Sequence, residues 1–138
     1  MALTRKDFQQ LAGMRAREAR ALATSGHENG AYCLGGLAIE CALKACIAKK
    51  TRRHDFPADK RYAAKVYTHD LSELLKLADL HGDLDKEVTT NPRLATNWGV
   101  VKSWGVEVRY EPSGLNGTDM VEAVSSKDGV LKWIKQYW

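Results

Sequence analysis

Ala31–Ala48 reads AYCLGGLAIECALKACIA, eighteen residues that are apolar or small on every side and interrupted only by Glu40 and Lys44. Wound as an α-helix at about 100° per residue, the stretch puts Tyr32, Ile39, Leu43 and Cys46 on one side and Leu34, Ala38, Cys41 and Ala45 opposite them. Cys33, Leu37 and Ile47 border the two charges. A helix without a wet face belongs in the middle of a bundle, so a buried central helix over about residues 30–50 is predicted. Glu40 precedes Lys44 by four residues, the spacing and order that let an acid and a base pair along a helix. A buried charge stays ionised only when it is paired or hydrogen-bonded, so the pair marks either a specificity device or a site.

Outward from that centre the chain reads as further helices. Thr4 with Asp7 resembles an N-terminal cap, and Phe8, Leu11, Ala12, Ala19, Leu22 and Ala23 form one stripe that ends near Thr24. The connection Ser25–Gly30 is short, which makes the first two helices antiparallel. Arg15 lies inside the stripe of the first helix, and counting outward from His27 brings it level with Glu40. A contact between Arg15 and Glu40 is therefore predicted.

A third helix begins after Asp70, which forms an approximate capping box with Glu73, and continues through Leu71, Leu74, Leu75 and Ala78 to a stop near Gly82. A short turn at Asp83–Val88 precedes a fourth helix opened by Asn91-Pro92 and carrying Leu94, Trp98 and Val101. Beyond the turn-rich run Glu111–Gly117, a last helix aligns Met120, Val124, Leu131, Ile134 and Trp138. Gly129 costs that helix about 1 kcal/mol relative to Ala and marks a kink or break. No segment alternates as a strand. The expectation is an all-α protein, an antiparallel bundle of four to five helices around a buried central helix, forming a single domain over residues 1–138.

With 138 residues and 44% hydrophobic content, such a bundle has core enough without a disulfide or a metal. Cys33, Cys41 and Cys46 are separated by roughly 12 Å and 7.5 Å along the central helix, which excludes a disulfide within it. They read as small core fillers in a reducing compartment, and no CxxC or paired His spacing suggests zinc. The N-terminus MALTRKDFQQ has no apolar leader, and the mid-length charges make the central helix a poor membrane span. A cytoplasmic protein without a membrane, metal or cofactor requirement is expected.

Charge is distributed unevenly. From Lys49 to Lys65 lie Lys49, Lys50, Arg52, Arg53, Lys60, Arg61 and Lys65 against Asp55 and Asp59, a local charge of +5 in a chain whose total is +4. The excess sits in a basic loop at about residues 51–68, with His54, Phe56, Tyr62 and Tyr67 interleaved. Cations release counter-ions from a phosphate backbone and aromatic rings stack on exposed bases, so RNA or a nucleotide phosphate is the natural partner; the alternative is a solvated connection whose lysines only keep the domain soluble. His69-Asp70 reads first as a turn and helix cap. A cleft gathering His69, Arg109, Glu40 and Lys44 would instead supply a cation and a group titrating near neutrality. Trp98, Trp104, Tyr110, Trp133 and Trp138 are expected in the core or a dimer contact, with Arg109 able to stack on Trp104.

Gly30-Ala31-Tyr32, then Gly35-Gly36-Leu37-Ala38-Ile39-Glu40-Cys41-Ala42-Leu43-Lys44-Ala45, then Thr68-His69-Asp70-Leu71, and later Trp104 with Arg109-Tyr110, resemble the HEPN family. The resemblance runs from Leu11 to Trp138. It implies a small all-α domain, commonly a homodimer, found alone, fused into larger defence proteins, or beside a minimal nucleotidyltransferase in toxin–antitoxin pairs. Several members are metal-independent endoribonucleases that carry an Arg followed after four to six residues by a polar residue and a His, late in the fold. Here the run after Arg109, Tyr110-Glu111-Pro112-Ser113-Gly114-Leu115-Asn116, supplies no His. The matching spacing occurs only at Arg20 and His27, where the first helix ends.

Three functions follow as expectations. The first is a dimeric module holding RNA or a nucleotide through Lys49, Lys50, Arg52, Arg53, Lys60, Arg61 and Arg109, as part of a stress or defence system. The second is an endoribonuclease in which His27, His54 or His69 replaces the missing late His. The third is a non-catalytic partner of a nucleotidyltransferase. Arg15, Glu40 and Lys44 form a structural or site group, and His69, Asp70, Trp104 and Tyr110 are further site candidates.

Overall fold

The structure is a computed structural model that describes residues 3–53 and 67–138, and every regular element among them is helical. α1 spans Arg5–Thr24, α2 Glu28–Arg53, α3 Leu71–Leu77, α4 His81–Thr90, α5 Pro92–Lys102, α6 Gly117–Ser125 and α7 Val130–Ile134, with a 3-10 turn at Val106–Tyr110. This is the expected all-α bundle, with the expected segments more finely divided. The turn expected around Asp83 is a full helix, and the last expected helix is two, α6 and α7.

Local chemistry sets most of the boundaries. Thr4 Oγ1 accepts from the Asp7 amide at 3.1 Å while Asp7 Oδ2 accepts from the Thr4 amide at 2.8 Å, a complete capping box at the start of α1. Those two bonds also hold the Asp7 carboxyl below its ordinary range. Asp70, Asn91 and Asn116 cap α3, α5 and α6 by accepting from the amides of Glu73, Leu94 and Asp119. Pro92 occupies the first turn of α5, as expected.

Two breaks come from backbone conformation. Asp79 takes the left-handed region at φ 58, which a short polar side chain tolerates, so α3 ends before Gly82, and Gly82 lies inside α4. At the α6–α7 junction the backbone carbonyls of Val124 and Ser126 crowd Gly129 so closely that no Cβ fits, and the chain turns there. The break expected at Gly129 is where the sequence placed it.

α1, α3, α6 and α7 pack on α2. From Ala38 to Ile47 nine of ten residues are buried, with Lys44 half-buried, so this part of the helix has no wet face. Nearer its N-terminus α2 depends on absent side chains: the Gly36 backbone lies against the Trp104 indole and Gly35 against Met120, and a Cβ at Gly36 would overlap the ring. Tyr32, Cys33, Leu34 and Leu37 are only half-buried on the remaining flank. By length and composition Glu28–Thr51 could cross a membrane, yet 67% of its apolar window is buried inside the bundle, as in a core helix. Glu28 ties the start of α2 to α6, its Oε1 accepting from Thr118 Oγ1 at 2.8 Å.

Candidate functional site

Glu40 is the one buried charged residue of the described core, with 5% of its surface exposed. Both carboxylate oxygens are used: Oε2 accepts from Lys44 Nζ at 3.2 Å and Oε1 from His69 Nδ1 at 2.9 Å. The Glu40–Lys44 pair expected from the sequence is thus formed, one helical turn apart on α2. His69 comes from the segment that leads into α3, held there because Asp70 caps that helix while the Asp70 amide donates to Thr68 Oγ1. The His69 side chain is 52% exposed, against 7% for Glu40 and 14% for Lys44. A carboxylate oxygen only accepts, so Nδ1 carries the proton, and a neutral ring then presents Nε2 as an acceptor. Among the described residues no protein group takes Nε2. The arrangement can orient an imidazole, hold its tautomer and receive a proton from a hydroxyl.

Arg15 does not join this cluster. Its guanidinium pairs with Glu18 on α1 and is part-exposed. The reason is register: Leu22 meets Gly30 across the hairpin, so the level opposite Arg15 falls at about residue 37, roughly 4.5 Å short of Glu40 along the axis. Arg109 is also elsewhere. It is exposed in the 3-10 turn, its Nε donates to the Val106 carbonyl at 3.1 Å, and its guanidinium lies 5.5 Å from the Tyr110 ring centroid. The expected stacking of Arg109 on Trp104 is therefore replaced by Tyr110. Trp104 is buried against Gly36, and its Nε1 has no hydrogen-bond partner among the described residues. Tyr110, expected in the core or a contact, is 79% exposed.

Of the basic run, Lys49 and Lys50 are half-buried on the last turns of α2, about 13 Å along the axis beyond Glu40. Lys50 pairs with Asp79 after α3. The side chains of Arg52 and Arg53, and all of His54, Lys60 and Arg61, lie outside the described residues. His27 is exposed in the turn between α1 and α2, and no hydrogen bond or ion pair joins it to Arg20.

Burial raises the thiols of α2. Cys41 is pushed up to about 11 and Cys46 to about 12, while at Cys33 burial raises the thiol and Arg109 opposes the shift. All three are free; Cys41 and Cys46 are buried as expected of core fillers, whereas Cys33 is only half-buried. Among the described residues no group of three or more His, Cys, Asp or Glu side chains could hold a metal ion.

The sequence reading missed one arrangement. Arg17 and Arg20 of α1 face Lys132 and Lys135 of the C-terminal segment across a groove. Each pair is spaced by three residues, which is unremarkable alone, and only packing brings the pairs together. Compared with protein-family models, with characterised proteins and with solved structures, the chain finds no match.

Proposed function

We propose that this chain is a HEPN-like helical domain that binds RNA or a nucleotide phosphate through the cationic run Lys49–Lys65, as a cytoplasmic homodimer in a stress, defence or toxin–antitoxin system. One observation carries the reading. Glu40 holds His69 against α2, so the residue that follows the run bearing a charge of +5 is fixed beside the buried Glu40–Lys44 pair. Concentrated positive charge attracts a phosphate backbone, and the aromatic residues interleaved in the run suit unstacked bases.

The test removes Lys49, Arg52 and Arg53 together as alanines, leaving Lys50 to Asp79. Retention of single-stranded RNA should weaken roughly tenfold, and the slope of log affinity against log salt should flatten by about 2, since each phosphate contact contributes about 0.7 on a single strand. Unchanged retention and slope would remove the reading.

A second reading, a metal-independent endoribonuclease, is favoured by the anchored imidazole. His69 would take the proton of a ribose 2′-hydroxyl at Nε2 as that oxygen attacks the adjacent phosphorus, giving a 2′,3′-cyclic phosphate and a 5′-oxygen that leaves with a proton from water, while Glu40 positions the ring. Purified protein should then cut RNA with chelator present, and cutting should disappear in His69→Ala and persist in His27→Ala. Absence of cutting by the unaltered protein would leave the binding reading alone.

A further inference from the structure

We propose that the groove between α1 and the α6–α7 segment is a second, independent phosphate-backbone site, which seats consecutive phosphates of a single-stranded RNA. It encloses about 310 Å³ and is lined by Arg17, Arg20, Lys132 and Lys135, with Ser125 and Ser126 at the α6 end and no carboxylate among its lining residues. All four cations are exposed. Among the described residues none of them lies within ion-pair distance of an acid, although other arginines do: Arg15 holds Glu18, and Arg93 lies 3.7 Å from Asp128. Lys135 has only a face of Trp138, with Nζ 5.5 Å from the ring centroid. Four like charges around one concavity repel one another, and an anion from outside relieves that repulsion.

The spacing selects the anion. Each wall carries two cations three residues apart in helical backbone, hence about 5–6 Å between their Cβ atoms, a step comparable to that between consecutive phosphates of an extended strand. Gly13 helps to shape the wall, because a Cβ there would come 3.2 Å from Arg17 Nη1. The lining contains no aromatic ring, so the groove offers bases nothing to stack on, and its volume is at the low end for small-molecule pockets, which run from about 300 Å³ upward. Phosphates fill it and the bases stay outside, which makes recognition independent of sequence. Arg17 and Arg20 stand level with residues about 35 and 32 of α2, roughly 22 and 27 Å along the axis from Lys50, so the groove is separate from the cationic run.

The experiment measures binding of a labelled twelve-nucleotide single-stranded RNA by fluorescence anisotropy over a salt series. It uses the full chain, Arg17→Gln/Arg20→Gln, Lys132→Gln/Lys135→Gln, and the triple alanine variant of the cationic run. Either groove variant should bind roughly tenfold more weakly than the unaltered chain and flatten the salt slope by about 1.4, alike for oligo-U and oligo-A, and should do so again in the triple-variant background. Unchanged melting midpoints verify that the groove variants fold. Wild-type affinity and slope in both groove variants overturns the proposal, as does failure of the unaltered chain to bind RNA. Equal displacement of the RNA by a glutamate oligomer of matched charge also overturns it, since the groove would then prefer no phosphate. Loss in the triple variant alone sinks the groove and leaves the cationic run standing. Loss in the groove variants alone does the reverse.

Discussion

Glu40 sits at the centre of the bundle with a donor on each carboxylate oxygen, whereas Arg17, Arg20, Lys132 and Lys135 surround an open groove without an acid. The first arrangement is closed electrically: burial makes ionisation costly, and Lys44 and His69 offset the cost from within the chain. The second is left open, because exposed cations are hydrated at little cost and need no internal partner. Buried charge is therefore bound up with whether the bundle holds together, and exposed charge with what the bundle meets.

That contrast can be broken most forcibly at Glu40. Glu40→Ala strands Lys44, whose side chain is 14% exposed, and should cost about 3 kcal/mol in urea unfolding, or about 10 °C in melting midpoint. Glu40→Leu combined with Lys44→Leu removes both charges and should regain most of that loss. A double variant as unstable as the single one would mean that packing, not stranded charge, sets the effect.

High pH probes the same enclosure. Cys41 and Cys46 have thiols raised to about 11 and about 12, above the ordinary value of 9.0 that they regain on unfolding. Their contribution is fully present below pH 9 and declines as pH rises through about 11 and 12, because the unfolded chain releases protons that the folded one retains. Replacing both by alanine should flatten this alkaline fall in unfolding free energy; an unaltered fall would assign it to other groups.

His69→Ala removes one charge-assisted bond from a half-exposed group and should cost about 1 kcal/mol, with Lys44 still on Glu40. A loss as large as that of Glu40→Ala would mean that the His69 anchor holds the whole α2–α3 connection. The smallest effect belongs to the groove: Arg17→Gln with Arg20→Gln should leave stability within about 0.5 kcal/mol, as measured in the same urea titration. A substantial loss there would make those arginines part of the scaffold and erase the contrast.

The sequence by itself determined what is local along the chain. Apolar residues on every side of Ala38–Ile47 required a central helix, Thr4 with Asp7 and Asn91 with Pro92 marked helix starts, Gly35-Gly36 announced close packing, and Glu40 with Lys44 made a pair one turn apart. Each signal comes from helix period or cap chemistry, which residues within four positions of one another decide. Tertiary structure alone decided the rest. His69 reaches Glu40 across twenty-nine residues, Arg15 turns to Glu18 because the hairpin register falls one turn short, and the groove joins Arg17 and Arg20 to Lys132 and Lys135 from opposite ends of the chain. The physical reason is that exposed cations carry no periodic signature of the partner they will face, so their meeting is set by how the helices pack.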